Sequence, residues 1–79
     1  MDDIKLLERI TADPEIMVGK PIIRGLRITV EQILKALAAG IKEDELLQDY
    51  PELEHDDIKA VLLYAAELVE KEKIFGLSA

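Results

Sequence analysis

Apolar positions are most regular in the middle of the chain. Val30, Ile33, Leu34, Leu37 and Ala38 recur at the i, i+3, i+4, i+7, i+8 spacing of one helix face. Thr29 stands ahead of them as an N-cap, and Gln32 three residues later completes a capping box. Gly40 ends the helix, because glycine best tolerates the left-handed backbone of a stop. Two more helix starts share one design. Ile41 and Leu46 form a hydrophobic staple around the acidic turn Glu43-Asp44-Glu45, and Leu53 and Ile58 do the same around His55-Asp56-Asp57. Lys42 and Glu54 are weak N-caps, so the acids and staples must start these helices. The second helix stops before Pro51, since Tyr50 precedes a proline and is biased away from helix. The third is expected from His55 to Lys73.

The third helix carries an expected core stripe of Ile58, Val61, Leu62, Ala65 and Val69. Tyr64, Ala66 and Leu68 widen it beyond the ~100° a surface helix needs. Leu63 points away from it. Glu72 and Lys73 fall back on the stripe, so packing is expected to end near Val69. Ile74, Phe75 and Leu77 then put apolar side chains on a tail, which either docks on the N-terminal segment or meets another chain.

Ahead of the helices the pattern is mixed. Ile4, Leu6, Leu7 and Ile10 fit a helical turn or an edge strand equally well. Asp13-Pro14 signals a turn. Ile22-Ile23 and Leu26-Arg27-Ile28 favour strand and are split by Arg24-Gly25, which predicts a hairpin or an extended arm. Pro21 lacks an N–H and places its run at an edge or at a strand start. The predicted fold is mainly α, a trihelical helix-turn-helix bundle with a short N-terminal β-hairpin or arm. One domain spans 1–79: a β segment over 1–29, three helices over 30–73 and a tail over 74–79.

Composition narrows the class. A chain of 79 residues makes one domain whose single core is marginal, where a second copy or a partner often helps. Hydrophobic residues at 49% are too many for disorder, and aromatics at 4% make the core aliphatic. Without cysteine there is neither a disulfide nor a thiolate metal site. The acidic start Met1-Asp2-Asp3 is unlike a secretory leader, and no apolar run reaches the ~20 residues of a membrane span. A cytoplasmic, non-membrane protein is expected.

Charge changes the picture through its distribution. The formal net charge is −7, yet Lys20, Arg24 and Arg27 form a basic island with no acid between Glu15 and Glu31. The rest of the chain holds seven basic against seventeen acidic residues, or −10. Such a field repels nucleic acid and favours a basic partner, or simply keeps a small protein soluble. The island has two readings of its own. It binds nucleic acid through Lys20, Arg24 and Arg27, or its side chains pair with helix acids and brace the hairpin.

The stretch Ile10-Thr11-Ala12-Asp13-Pro14-Glu15, the island Gly19-Lys20-Pro21-Ile22-Ile23-Arg24-Gly25-Leu26-Arg27-Ile28, then Ala38-Ala39-Gly40, Asp49-Tyr50-Pro51, Asp57-Ile58-Lys59-Ala60 and Tyr64-Ala65-Ala66 carry a resemblance. Together they resemble the prokaryotic "domain of unknown function 433" family, over residues 8 to 68. Gly19, Pro21, Gly25 and Gly40 are its backbone positions here. Leu26 stands where the family more often has threonine, and Glu54 where a capping Thr or Ser is usual. The resemblance implies a homeodomain-like fold and an antitoxin of VapB type, paired with a PIN-like ribonuclease toxin. It brings no catalytic residue.

Side-chain chemistry argues against a conventional DNA reader. The third helix would present Glu54, His55, Asp56 and Asp57 to the duplex, where readers bring Arg, Lys, Asn or Gln. The chain has no asparagine. Gly19-Lys20 lacks the glycine-rich run of a P-loop. His55 is the lone histidine beside two acids, which a dipole-stabilised helix start explains without a metal. Ser78 is the only serine, so no Ser/His nucleophile is available. No catalytic residue, cofactor or metal is expected. The expected function is a non-catalytic protein-binding module, antitoxin-like, contacting a basic PIN-like toxin through Tyr64, Leu68, Ile74, Phe75 and Leu77. The alternatives are a DNA-binding regulator using the basic hairpin, and a structural homodimer.

Overall fold

The computed structural model describes residues 2–71. Its elements run α1 (Asp3–Leu7), β1 (Ile10–Thr11), β2 (Ile22–Ile23), α2 (Val30–Ala38), α3 (Glu43–Asp49) and α4 (His55–Lys71). The chain is mainly helical, with a short antiparallel hairpin on its N-terminal side. The expected helix end at Lys73 and the tail 74–79 lie outside the described residues.

The ambiguous N-terminal pattern resolves as both structures in succession. A five-residue helix is far too short to persist alone. Here the Asp2 carboxylate accepts from the Ile4 amide at 3.1 Å, Leu6 is buried, and α1 lies along α4. The N-terminal segment therefore holds a helix over Asp3–Leu7 and a strand at Ile10–Thr11, the two forms its pattern left open.

The hairpin also pairs differently from the pattern within the island. β2 takes β1 as its partner, with Ile10 opposite Ile23 and Thr11 opposite Ile22. Its other edge is bridged by the returning chain, Ile22 to Thr29, and the Ile23 amide donates to the Ile28 carbonyl at 3.1 Å. Ile22 and Ile23 are thus flanked on both sides and fully buried. The return is made at Arg24 and Gly25, whose φ values of 45° and 73° give the double left-handed turn that matches strand twist. Before it, Met17, Val18 and Gly19 are also left-handed, at 51°, 58° and 75°.

The helices follow the sequence closely at α2. Thr29 and Gln32 form the reciprocal capping box, and Gly40, at φ 93°, completes a Schellman stop. There the Ile41 amide donates to the Ala36 carbonyl and the Gly40 amide to that of Leu37, at 3.1 and 3.0 Å. At α3 only half a box forms: Glu45 accepts from the Lys42 amide at 3.3 Å, while an ammonium has no lone pair to return. The core is aliphatic, built from Ile23, Ile28, Val30, Ile33, Leu46, Leu53, Ile58 and Val61.

The stripe on α4 needs correcting. Its buried residues are Asp57, Ile58, Ala60 and Val61, while Leu62 is 46% exposed and Val69 56%. Packing into the core ends at Val61 and the half-buried Tyr64, short of Val69. The reason is Asp57. A buried carboxylate sits on the inner face, so the helix is rotated from the orientation that hydrophobicity alone selects.

Candidate functional site

The basic island is largely spent inside the molecule. Arg24 reaches α4 and holds Asp57 in a fork, Nε to Oδ1 at 3.0 Å and Nη2 to Oδ2 at 2.9 Å. Its Nη2 also donates to the Glu52 carbonyl at 2.7 Å. From the other strand side, Arg9 donates through Nη1 to Asp57 Oδ1 and to Glu54 Oε1, both at 2.9 Å. Asp57 Oδ2 accepts in addition from the Glu54 amide at 2.9 Å, which caps the start of α4. Burial pushes the Asp57 carboxyl up, but Arg24, the Glu54 amide and Arg9 together outweigh it and hold the carboxyl below its usual range. The guanidinium of Arg9 is raised, by Glu54 first and then Asp57, and that of Arg24 by Asp57.

Lys20 is engaged as well. Its Nζ lies 3.0 Å from Glu31 Oε1, and Lys35 approaches the other oxygen at 2.9 Å. Lys35 and then Lys20 lower the Glu31 carboxyl. Arg27 is exposed and makes no ion pair among the described residues. The three cations therefore do not form one open surface. His55 is also exposed, 3.7 Å from Glu43 Oε2, and no cluster of three potential metal ligands occurs among the described residues.

The second feature is an apolar groove of about 430 Å³ between α2 and α4. Pro21, Val30 and Leu34 form one wall and Tyr64 and Leu68 the other, with Lys20, Glu31 and Lys35 along the rim. Tyr64 and Leu68 continue around α4 into a smaller hollow beside Leu7, Glu67 and Lys71. Tyr64 and Leu68 are two of the expected contact residues. Ile74, Phe75 and Leu77 lie outside the described residues. Pattern reading missed the α2 wall, although the outer edge of its apolar stripe, Leu34, was visible. No helix among the described residues is long and apolar enough to cross a membrane.

Residues 10–65, from the first strand to the middle of α4, match the family described as protein of unknown function (DUF433). The chain belongs to the DUF433 family. A relative, the uncharacterized protein y4eO of Sinorhizobium fredii (strain NBRC 101917 / NGR234), is 30% identical over 79 aligned positions. That alignment takes in 96% of this chain but 36% of y4eO, so the chain spans about a third of its curated relative. The crystal structure of a DUF433 member from Anabaena variabilis ATCC 29413, at 2.00 Å resolution, superposes with a TM-score of 0.74 at 29% identity. It covers 85% of this chain and 67% of that one. The DUF433 match includes both Arg24 and Asp57, whereas α1 and Leu68 fall outside it.

Proposed function

We propose that this DUF433 chain is a non-catalytic protein-docking module, and that its partner is a basic protein of the PIN-like ribonuclease kind, bound as an antitoxin binds its toxin. The observation that carries the reading is the open apolar groove of Pro21, Val30, Leu34, Tyr64 and Leu68 on a body of net charge −7. An exposed apolar trough with a polar rim is the usual form of a site for a partner's apolar segment. The acidic body steers a basic partner toward it. Occurrence of the module within the much longer y4eO agrees with a docking role. The DNA-binding alternative has less to stand on, since Lys20 and Arg24 are already paired and α4 opens with acids.

The test is co-expression with the product of the adjacent gene. A stable complex is expected in which that product's ribonuclease activity is silenced. Leu68→Glu should abolish the complex and free the activity while leaving the circular dichroism and urea midpoint unchanged, because Leu68 is 43% exposed. A complex indifferent to Leu68→Glu and Tyr64→Ala would sink the groove, and a neighbour without ribonuclease activity would sink the antitoxin reading.

A further inference from the structure

Among the described residues, a different face of α4 is left without a partner. Lys59, Leu62, Ala66, Val69 and Glu70 lie along the side turned away from both the core and the groove, and all five are exposed. Steps of four and three residues from Leu62 to Ala66 to Val69 are those by which two helices pair. Among the described residues, neither Lys59 nor Glu70 makes an ion pair within the chain.

We propose that this face joins two copies of the chain, their α4 helices antiparallel about a two-fold axis at Ala66. In that alignment Leu62 of each copy lies opposite Val69 of the other, and Ala66 faces its own equivalent. The small side chain lets the axes approach to the ~8 Å lower limit of helix packing. A two-fold axis perpendicular to both helices keeps each edge of the stripe on its own side. Lys59 and Glu70 share one edge, so each Lys59 meets the Glu70 of the second copy, twice in the dimer. A parallel pairing would instead set the Lys59 and Glu70 edge of one copy against the Leu62 and Val69 edge of the other, leaving the charges without partners. The face thus contains both halves of its own complement, which is the requirement of an isologous interface. The grooves stay open in such a dimer, and the inference stands apart from what they bind.

Sedimentation equilibrium of the full chain tests it. A concentration-dependent dimer is expected, and Leu62→Glu should leave a monomer of unchanged helicity. Lys59→Glu alone should weaken association by about tenfold, since the like charge is felt at two symmetric sites. Adding Glu70→Lys to it should restore the dimer, because each pair is then reversed. The chain has no cysteine, so Ala66→Cys should oxidise to a covalent dimer while a remote Glu52→Cys should not. A wild-type monomer at the highest attainable concentration would overturn the proposal. So would a dimer that survives Leu62→Glu, or a double charge reversal that fails to restore it.

Discussion

Arg24 and Asp57 are tied by two parallel hydrogen bonds of 3.0 and 2.9 Å across 33 residues of chain. The pair fastens the turn of the hairpin to the first turn of α4. It also explains an awkward residue choice. Position 24 has φ 45°, where glycine, asparagine or aspartate is the ordinary occupant. Only a long forked cation at that position reaches the buried carboxylate, and the bond holds the backbone in a conformation that arginine otherwise avoids.

Asp57→Ala should destabilise the protein by about 3 kcal/mol. Removing it leaves two guanidinium groups and the Glu54 amide without their shared acceptor, and the partly solvated arginines keep the loss toward the low end for a broken buried pair. The urea midpoint should fall with an unchanged slope. Asp57→Glu should not rescue it, because an extra methylene has no room at a fully buried position.

Arg24→Gly and Arg24→Ala lose the same hydrogen bonds but differ in the backbone. Alanine keeps a Cβ in the left-handed region, whereas glycine does not. The glycine variant should therefore be more stable than the alanine variant by about 1 kcal/mol. Equal urea midpoints for the two would show that the turn relaxes once the pair is gone.

Stability should fall in acid. The folded Asp57 carboxyl is lowered relative to the unfolded chain, so its contribution is complete above the unfolded value and is lost as pH drops through the folded one. The urea midpoint should be flat from about pH 7 to about pH 5 and decline below about pH 4. Glu31, lowered by Lys35 and Lys20, acts with the same sign at the surface. Asp57→Asn, less stable at neutral pH, should show a distinctly shallower acid decline. An identical decline would assign the acid sensitivity elsewhere.

What the sequence revealed and what it hid divide along the range of the interactions. The capping box of Thr29 and Gln32 and the stop at Gly40 are local, and α2 was legible to the residue. The five-residue α1 was not, because Leu6 against α4 holds it and no short-range signal records that contact. Asp57 looked like one more acid for a helix dipole. Its real partners, Arg9 and Arg24, lie 48 and 33 residues away. Apolar spacing alone put Leu62 and Val69 on the core stripe, whereas both are exposed and Asp57 is buried. Of the groove, Tyr64 and Leu68 were named from their excess on α4, but the opposing wall depends on how α2 is set against α4.

Lys42→Ser should stabilise the protein by about 0.5 to 1 kcal/mol. Lysine at this N-cap receives a bond on its amide from Glu45 but cannot return one to the third helical amide. A serine hydroxyl can, which closes the capping box that α2 already has. Serine is preferred to aspartate here, because Glu43, Asp44 and Glu45 already crowd the first turn with negative charge. A midpoint no higher than wild type would mean that the start of α3 is fixed by its staple alone.

Val18 is the remaining oddity: a β-branched residue at φ 58° with 91% of its surface exposed. Left-handed backbone costs an L-residue about 1 to 2 kcal/mol, and branching at Cβ makes it worse. Burial offsets none of this, since the side chain lies in solvent. Hydrogen bonds hold the turn from both ends, the Gly19 amide to the Ile16 carbonyl at 3.2 Å and the Lys20 amide to that of Met17 at 3.1 Å. Lys20 is in turn anchored to Glu31, so the turn is fixed by its flanks rather than by Val18. Val18→Asn, which tolerates the same backbone, should therefore raise stability by about 1 kcal/mol without altering the fold. A loss of stability instead would mean that the valine makes a contact, with a second copy or another protein, that offsets its strain.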